Sequence, residues 1–136
     1  MTKYFFTLFF LLPLLFFAQD AEKKIYVKLI EDPIVVDGDL SEPIWQEAAA
    51  AENFQQYFPS DSILAKQQTQ IKMLYDNVNL YLGVTVYTSG DQYIIPSLKR
   101  DFRAGNNDNI SFIFDTFKDG TNAFLFGTNP LGVRRE

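Results

Sequence analysis

A regular alternation of side chains between Thr69 and Tyr87 constrains the fold of this chain more than any other feature of its sequence. Residues on opposite faces alternate over 69–75 and again over 80–87, and the turn-forming segment Asp76–Asn79 separates the two runs. Successive side chains of a β-strand point to opposite faces of the sheet. The pattern therefore predicts two antiparallel strands joined in a hairpin.

A second hairpin is predicted further along the chain. Residues 110–114 alternate, the dipeptide Asp119-Gly120 marks a turn, and residues 122–128 form a phenylalanine-rich run. Several short strands with almost no helix predict an all-β fold, namely an antiparallel β-sandwich of the immunoglobulin or jelly-roll type. Because residues 133–136 carry no turn signal, we expect this sandwich to be truncated at its carboxy terminus.

A tight turn and a short helix are predicted before the first hairpin. Gly38 lies between two aspartates, where a residue without a side chain can adopt the positive φ of a turn. Ser41 is predicted to cap a helix that buries Trp45, although Trp45 could instead be exposed and stack on a ligand. Residues 54–58 are then predicted to be extended, and residues 59–62 to form a loop.

The composition excludes several functional classes. With 12 basic and 17 acidic residues the chain has a formal net charge of −5, whereas nucleic-acid binders use lysine and arginine to neutralise phosphates. The absence of histidine excludes histidine-activated nucleophiles and histidine-ligated zinc. Because cysteine is absent too, the 136 residues must fold as one domain around an apolar core rather than around disulfides.

The first residues have the pattern of a secretory signal peptide. A short positive segment precedes the apolar residues 4–17, and Ala18 provides a small residue for cleavage. A membrane-spanning helix requires a longer run, of about 20 apolar residues. We therefore expect residues 1–18 to be removed on export to the periplasm, the outer membrane or the extracellular space. A mobile lead-in with an edge strand is expected at 19–33, followed by the sandwich at 34–136.

Three ordered segments resemble the family 9 carbohydrate-binding modules. They are the turn and helix segment Asp37–Trp45, the first hairpin at Ile71–Val84, and the start of the second hairpin at Asp108–Asp115. Together with the segment Asn122–Val133, they resemble more narrowly the amino-terminal domain of large secreted or outer-membrane proteins of Gram-negative bacteria whose carboxy-terminal part is a barrel of unknown function. The resemblance covers residues 34–136.

The resemblance implies a noncatalytic module that binds polysaccharides or oligosaccharides within a larger polysaccharide-processing or outer-membrane protein, in carbohydrate catabolism. Any glycoside hydrolase activity would then belong to the parent protein. The better-known modules grip a terminal sugar between two tryptophans, whereas the single tryptophan here, Trp45, falls on the structural motif of the family. The alternative is an interaction module that docks on the barrel of the same polypeptide and binds no sugar.

The loop Arg100–Asn109 is the predicted ligand site. It combines guanidinium, carboxylate and amide groups, which make the hydrogen bonds that a hydroxyl-rich ligand requires. A solvated turn explains the same loop equally well. Tyr81 is a candidate stacking platform, although packing in the core also explains its position. The predicted ligand-binding residues are Arg100, Asp101, Asn106, Asn107, Asp108 and Tyr81.

Calcium is the one cofactor for which the sequence offers ligands. Asp37 and Asp39 could provide oxygen atoms, but two carboxylates fall short of the roughly six to eight ligands that calcium takes. A turn explains both aspartates, so we expect no cofactor.

The acidic residues near the predicted ligand site are candidates for the two carboxyl groups of a glycosidase. A glycosidase needs two carboxyl groups at a defined separation. Asp108 and Asp115 point to opposite faces of one predicted strand and lie about 23 Å apart, so they cannot form the pair. Asp101 with Asp108 is left open, but no group that would tune an acid is found near them. We therefore expect no catalytic residues.

Overall fold

The computed structural model describes residues 23–90 and 92–136 of the chain. It divides into two compact units, of which unit 1 runs to Val86 and unit 2 extends from Tyr87 to Glu136. The predicted signal peptide, residues 1–18, lies outside the described residues. Each unit contains one β-sheet.

The sheet of unit 1 is built on the first predicted hairpin. β3 (Thr69–Tyr75) and β4 (Leu80–Val86) pair antiparallel along their whole length, so the hairpin is confirmed. Two short strands, β1 (Lys28–Leu29) and β2 (Ala50–Ala51), share the other edge of β3. β1 is parallel to β3 and β2 is antiparallel to it.

The core of unit 1 joins the short helix α1 (Pro43–Glu47) to the sheet. Trp45 has 2% of its surface exposed and belongs to one apolar cluster with Leu74 of β3 and Ile30. Its indole lies so close to Gly83 of β4 that a Cβ atom added there would be 2.8 Å from the Cζ3 atom. Trp45 is therefore a core residue, and the prediction that it is buried is confirmed.

The start of α1 corrects a prediction. Glu42, rather than Ser41, is the N-cap residue, and its carbonyl accepts a hydrogen bond from the Trp45 N–H at 3.0 Å. Pro43 suits the first helical position because it has no N–H group to leave unpaired there. At the other end, Lys72 Nζ donates to the Trp45 carbonyl at 2.6 Å, so β3 itself holds the helix terminus.

The sheet of unit 2 is the second predicted hairpin with one strand added. β5 (Ile110–Phe114) and β6 (Phe124–Thr128) are antiparallel, and β7 (Arg134–Arg135) pairs with the end of β6. β6 begins two residues later than predicted because the Asp119 carboxylate accepts hydrogen bonds from the Asn122 backbone and side chain, which keeps Asn122 in the turn. β7 was not predicted.

The fold class predicted from the alternation is confirmed. The structure is nearly all sheet, and every strand pair except β1–β3 is antiparallel, as expected for an all-β protein of the β-sandwich class. None of the helices in residues 23–90 and 92–136 has the length and apolar character that spanning a bilayer requires.

Candidate ligand-binding site

The first half of the predicted ligand loop is bonded to the end of the chain. The backbone N–H of Asp101 donates to the carbonyl of Arg134 at 3.0 Å, and Asp101 Oδ1 accepts a bond from the N–H of Glu136 at 3.0 Å. Arg100 Nη2 lies 2.6 Å from Glu136 Oε1. The polar groups of Arg100 and Asp101 therefore hold the loop against β7.

The second half of the loop is bonded both to the preceding segment at Ile94 and within the loop itself. Asp108 and Ile94 exchange two bonds, since Asp108 N–H donates to the Ile94 carbonyl and Ile94 N–H donates to Asp108 Oδ2, each at 2.8 Å. Asn107 Nδ2 donates to the Arg103 carbonyl at 2.9 Å, while Asn107 Oδ1 is buried without a partner among the described residues. Asn106 ends a 3₁₀ turn and is exposed.

The loop thus brings five of the six predicted site residues together but leaves few of their polar groups free. Within the part of the chain that the structure describes, the side chains of Asn106 and Arg103 make no hydrogen bond or ion pair. Asn109 donates its amide to the carbonyls of Ala104 and Asn107, at 3.0 and 2.7 Å, and so also serves the loop itself. The arrangement is that of a self-braced turn with one exposed amide and one exposed guanidinium.

Tyr81, the sixth predicted residue, lies in unit 1. Its ring packs against the core cluster, and its hydroxyl donates to Asp76 Oδ2 at 2.7 Å. This hydrogen bond, with those from the N–H groups of Val78 and Asn79, lowers the pKa of Asp76 to about 2, and the same bond raises the pKa of Tyr81. Tyr81 is therefore a structural residue, because its ring packs against the core cluster and its hydroxyl fixes the β3–β4 turn.

The aspartates considered as calcium ligands form a turn. Asp37 Oδ1 accepts a hydrogen bond from the Asp39 N–H at 2.8 Å, and Gly38 between them has a φ of 91°. Among the described residues, no group of three or more acidic side chains converges where a metal ion could bind.

Asn129 is a structural residue of unit 2 that the sequence did not single out. It is 4% exposed, and its Oδ1 atom accepts hydrogen bonds from the N–H groups of Leu131 and Val133, both at 3.0 Å. These bonds shape the turn that brings β7 beside β6. An asparagine followed by proline directly after a strand was the available sequence signal.

Among the described residues, the most exposed aromatic side chains lie elsewhere, on a hairpin-like segment of unit 1, residues Phe54–Ala65, here called the finger. Its two arms are joined by a bond from the Ala65 N–H to the Phe54 carbonyl at 2.8 Å and by one from the Gln56 N–H to the Ile63 carbonyl at 3.1 Å. An isolated bridge between Gln55 and Leu64 lies between these two bonds. The finger is therefore braced by its own backbone.

Two adjacent aromatic rings stand in solvent near the end of the finger. Tyr57 is 95% exposed and Phe58 is 82% exposed. Asp61, in the turn, is the only charged residue between Phe54 and Ala65. The predicted loop is present, but the predicted extended segment 54–58 is wrong at its end, because Tyr57 and Phe58 lie in a bend beyond the paired arm. The exposed rings were missed, because no local pattern distinguishes an aromatic residue that packs from one that does not.

A second group of aromatic rings, some half-buried and some exposed, lies on one face of the sheet of unit 2, here called the phenylalanine face. The β5–β6 register pairs Phe112 with Phe126 and Phe114 with Phe124, so all four lie on the same face. Neighbouring ring centroids are 6.1 to 6.5 Å apart among these four. Phe117, in the connection, lies 6.0 Å from Phe124 and extends the row.

Comparisons with known proteins add no relative to this picture. No family model, no curated protein and no solved structure matches the chain.

Proposed function

We propose that this chain is an exported, noncatalytic carbohydrate-binding module that serves a larger polysaccharide-processing or outer-membrane protein. The observation that carries the proposal is the pair of rings on the finger, Tyr57 and Phe58, which are exposed and yet held on a braced hairpin. The resemblance of residues 34–136 to family 9 carbohydrate-binding modules points in the same direction.

The chemistry of the finger suits a sugar ligand. One face of a pyranose ring is a plane of C–H groups, which packs on an aromatic ring through dispersion and C–H contacts. Hydroxyls at the edge of the sugar need donors and acceptors, and Gln55, Asp61 and the Tyr57 hydroxyl supply both. Because the backbone bonds already order the arms, binding loses little conformational entropy.

The predicted loop has a smaller part in this proposal than its composition suggested. Of the six predicted residues, Asn106 has a side chain that is exposed and makes no hydrogen bond among the described residues, so within unit 2 it is the predicted residue that stays available to a ligand. Asp101 and Asp108 accept bonds from the backbone groups of Glu136 and Ile94. Asp101 and Asp108 are the pair that the sequence left as a possible catalytic pair. Because both carboxylates hold backbone groups, the structure favours a noncatalytic role.

A carbohydrate array tests the proposal. The wild type is expected to bind saturably, and Tyr57→Ala is expected to lose most of the signal. Tyr26→Ala is the matched control, because Tyr26 is also a tyrosine of unit 1, is 80% exposed and lies outside the finger. Absence of saturable binding to any carbohydrate would contradict the proposal.

A second candidate function is a docking module, and the phenylalanine face favours it. Phe117, Phe124 and Phe126 are each about half exposed or more, on a face where adjacent rings continue the apolar surface. A surface of this kind is typical of contacts with protein. In this candidate the face packs on the remainder of the same polypeptide, in line with the barrel that the resemblance implies, and no sugar binds.

The two candidates differ in how they respond to the same change. If the phenylalanine face is a docking surface, the isolated chain should bind the dye ANS, and the double variant Phe124→Ser, Phe126→Ser should lower that fluorescence. If the finger is the sugar site, the same double variant should leave carbohydrate binding unchanged. Loss of carbohydrate binding in a folded double variant would move the proposed sugar site to the phenylalanine face.

A further inference from the structure

The shape of the finger limits the kind of carbohydrate that it can hold. Sites for small molecules are concave and enclose most of the ligand surface. Tyr57 and Phe58 are instead so exposed that the protein provides almost no wall around either ring. A sugar stacked on Tyr57 would keep its other face in water, so a single free sugar or a chain end gains little from this site.

The brace of the finger suits a flat, extended ligand. The bonds between the Phe54 and Ala65 backbones and between those of Gln56 and Ile63 fix the arms, so the rings project from a defined base. Within the turn, the hydroxyls of Ser60 and Ser62 form one hydrogen bond of 2.7 Å. Exposed rings on a braced hairpin can contact a polymer at many positions along its chain, and repeated contacts raise the effective concentration of ligand at a weak site.

The charge of the finger selects among polymers and membranes. Asp61 is its single charged residue, and the chain carries a net charge of −5. A carboxylate in the turn repels an anionic polysaccharide and is costly to bring into the apolar part of a lipid surface. Uncharged polymers carry neither penalty.

We infer that the finger binds the side of an uncharged polysaccharide chain, as presented by an insoluble or very long polymer, rather than a free sugar or a chain end. This inference rests on the proposed carbohydrate-binding function and names its substrate class. Tyr57 is the stacking residue, and Phe58, the next residue along the chain, is a second exposed ring.

Sedimentation with insoluble polymers tests the inference. The purified protein is mixed with cellulose, chitin, xylan and mannan, with cross-linked polygalacturonate as an anionic gel, with soluble hexasaccharides of the uncharged polymers, and with phosphatidylcholine vesicles. The wild type is expected to sediment with at least one uncharged polymer and to show little affinity for the gel, the hexasaccharides or the vesicles.

Variants of the finger separate stacking from other effects. Tyr57→Ala should reduce the partition coefficient about tenfold, whereas Tyr57→Phe, which keeps the ring, should stay within about threefold of the wild type. Tyr26→Ala should bind as the wild type does. A partition coefficient that is equal in Tyr57→Ala and the wild type would overturn the assignment of the finger.

The failures of the inference and of the proposed function have different signatures. Binding of a hexasaccharide as tightly as of its polymer, with dependence on Tyr57, would overturn the inference and leave carbohydrate binding intact. Binding to no carbohydrate in any form would overturn both. Sedimentation with the vesicles alone, lost in Tyr57→Ala, would identify the finger as a membrane contact and also overturn both.

Discussion

Unit 1 carries aromatic residues in two opposite environments, and the contrast separates its scaffold from its candidate site. The Trp45 corner, formed by α1 and the β3–β4 hairpin, surrounds an indole that is 2% exposed. The finger holds Tyr57 at 95% exposure. Both regions are braced by backbone hydrogen bonds, so the difference lies in what faces each ring rather than in how firmly the backbone is held.

The contrast shows how far residue type alone can guide a search for function. A single tryptophan in a chain proposed to bind sugar is the obvious stacking residue. Its place against Leu74 and Gly83 makes it part of the core instead. The less conspicuous tyrosine is available to a ligand because no other part of the described unit covers it.

The largest expected effect is on the corner. Truncation by Trp45→Ala removes the central side chain of the core cluster and should lower the free energy of unfolding by about 3 to 5 kcal/mol. Chemical denaturation followed by far-ultraviolet circular dichroism measures it. Unchanged stability combined with lost carbohydrate binding would reverse the roles of the two regions.

A smaller loss is expected from crowding the same corner. Gly83→Ala would place a Cβ atom 2.8 Å from Trp45 Cζ3 and 3.1 Å from Leu40 Cδ2, so the free energy of unfolding should fall by about 1 to 3 kcal/mol. Gly105→Ala is the control, because a Cβ atom there meets nothing within 4 Å. Equal denaturation midpoints for Gly83→Ala and the wild type would show that the corner is loosely packed.

Acidification should destabilise the Trp45 corner, because the turn between β3 and β4 depends on the Asp76 carboxylate. The pKa of Asp76 is lowered to about 2, from the usual 3.8, by hydrogen bonds from the Tyr81 hydroxyl and the backbone. A lowered folded-state pKa gives stability that is present above pH 4 and is lost as the pH falls through 2. The difference in free energy of unfolding between the wild type and Asp76→Asn should therefore shrink as the pH falls through this window. Denaturation midpoints of both proteins, measured at several pH values, follow this difference. A difference that stays constant over this window would contradict the role assigned to Asp76.

The smallest expected effect on stability comes from the finger itself. Tyr57→Ala should change the free energy of unfolding by no more than about 0.5 kcal/mol, since the ring is exposed and buries little area. The same denaturation measurement applies. A loss comparable to that of Trp45→Ala would mean that the ring packs in solution and would remove it as a candidate contact.

The sequence predicted the parts of the fold that depend on local pattern. The β3–β4 hairpin follows from alternation on both sides of Asp76–Asn79, and the buried position of Trp45 follows from its place beside Leu40 and Ile44. β7 was missed because only two residues pair, and they do so through the Asn129 turn rather than through strand propensity.

The candidate site was less predictable than the fold. The loop 100–109 has the composition of a ligand site. However, the Asp101 and Asp108 carboxylates accept hydrogen bonds from the N–H groups of Glu136 and Ile94, which are distant in sequence. The exposure of Tyr57 depends on the pairing of the two arms of the finger, which no period in the sequence encodes. Contacts between residues that are distant in sequence therefore determine which polar groups and rings remain available to a ligand.

Nitration of tyrosine, followed by mass spectrometry, tests the assignment of the finger most directly. The purified protein is treated with tetranitromethane in the presence and absence of an uncharged polysaccharide that it binds, and Tyr26 and Tyr57 are compared as two exposed tyrosines of the same unit. We expect the polysaccharide to protect Tyr57 and to leave the nitration of Tyr26 unchanged. Equal nitration of Tyr57 with and without bound polysaccharide would contradict the account.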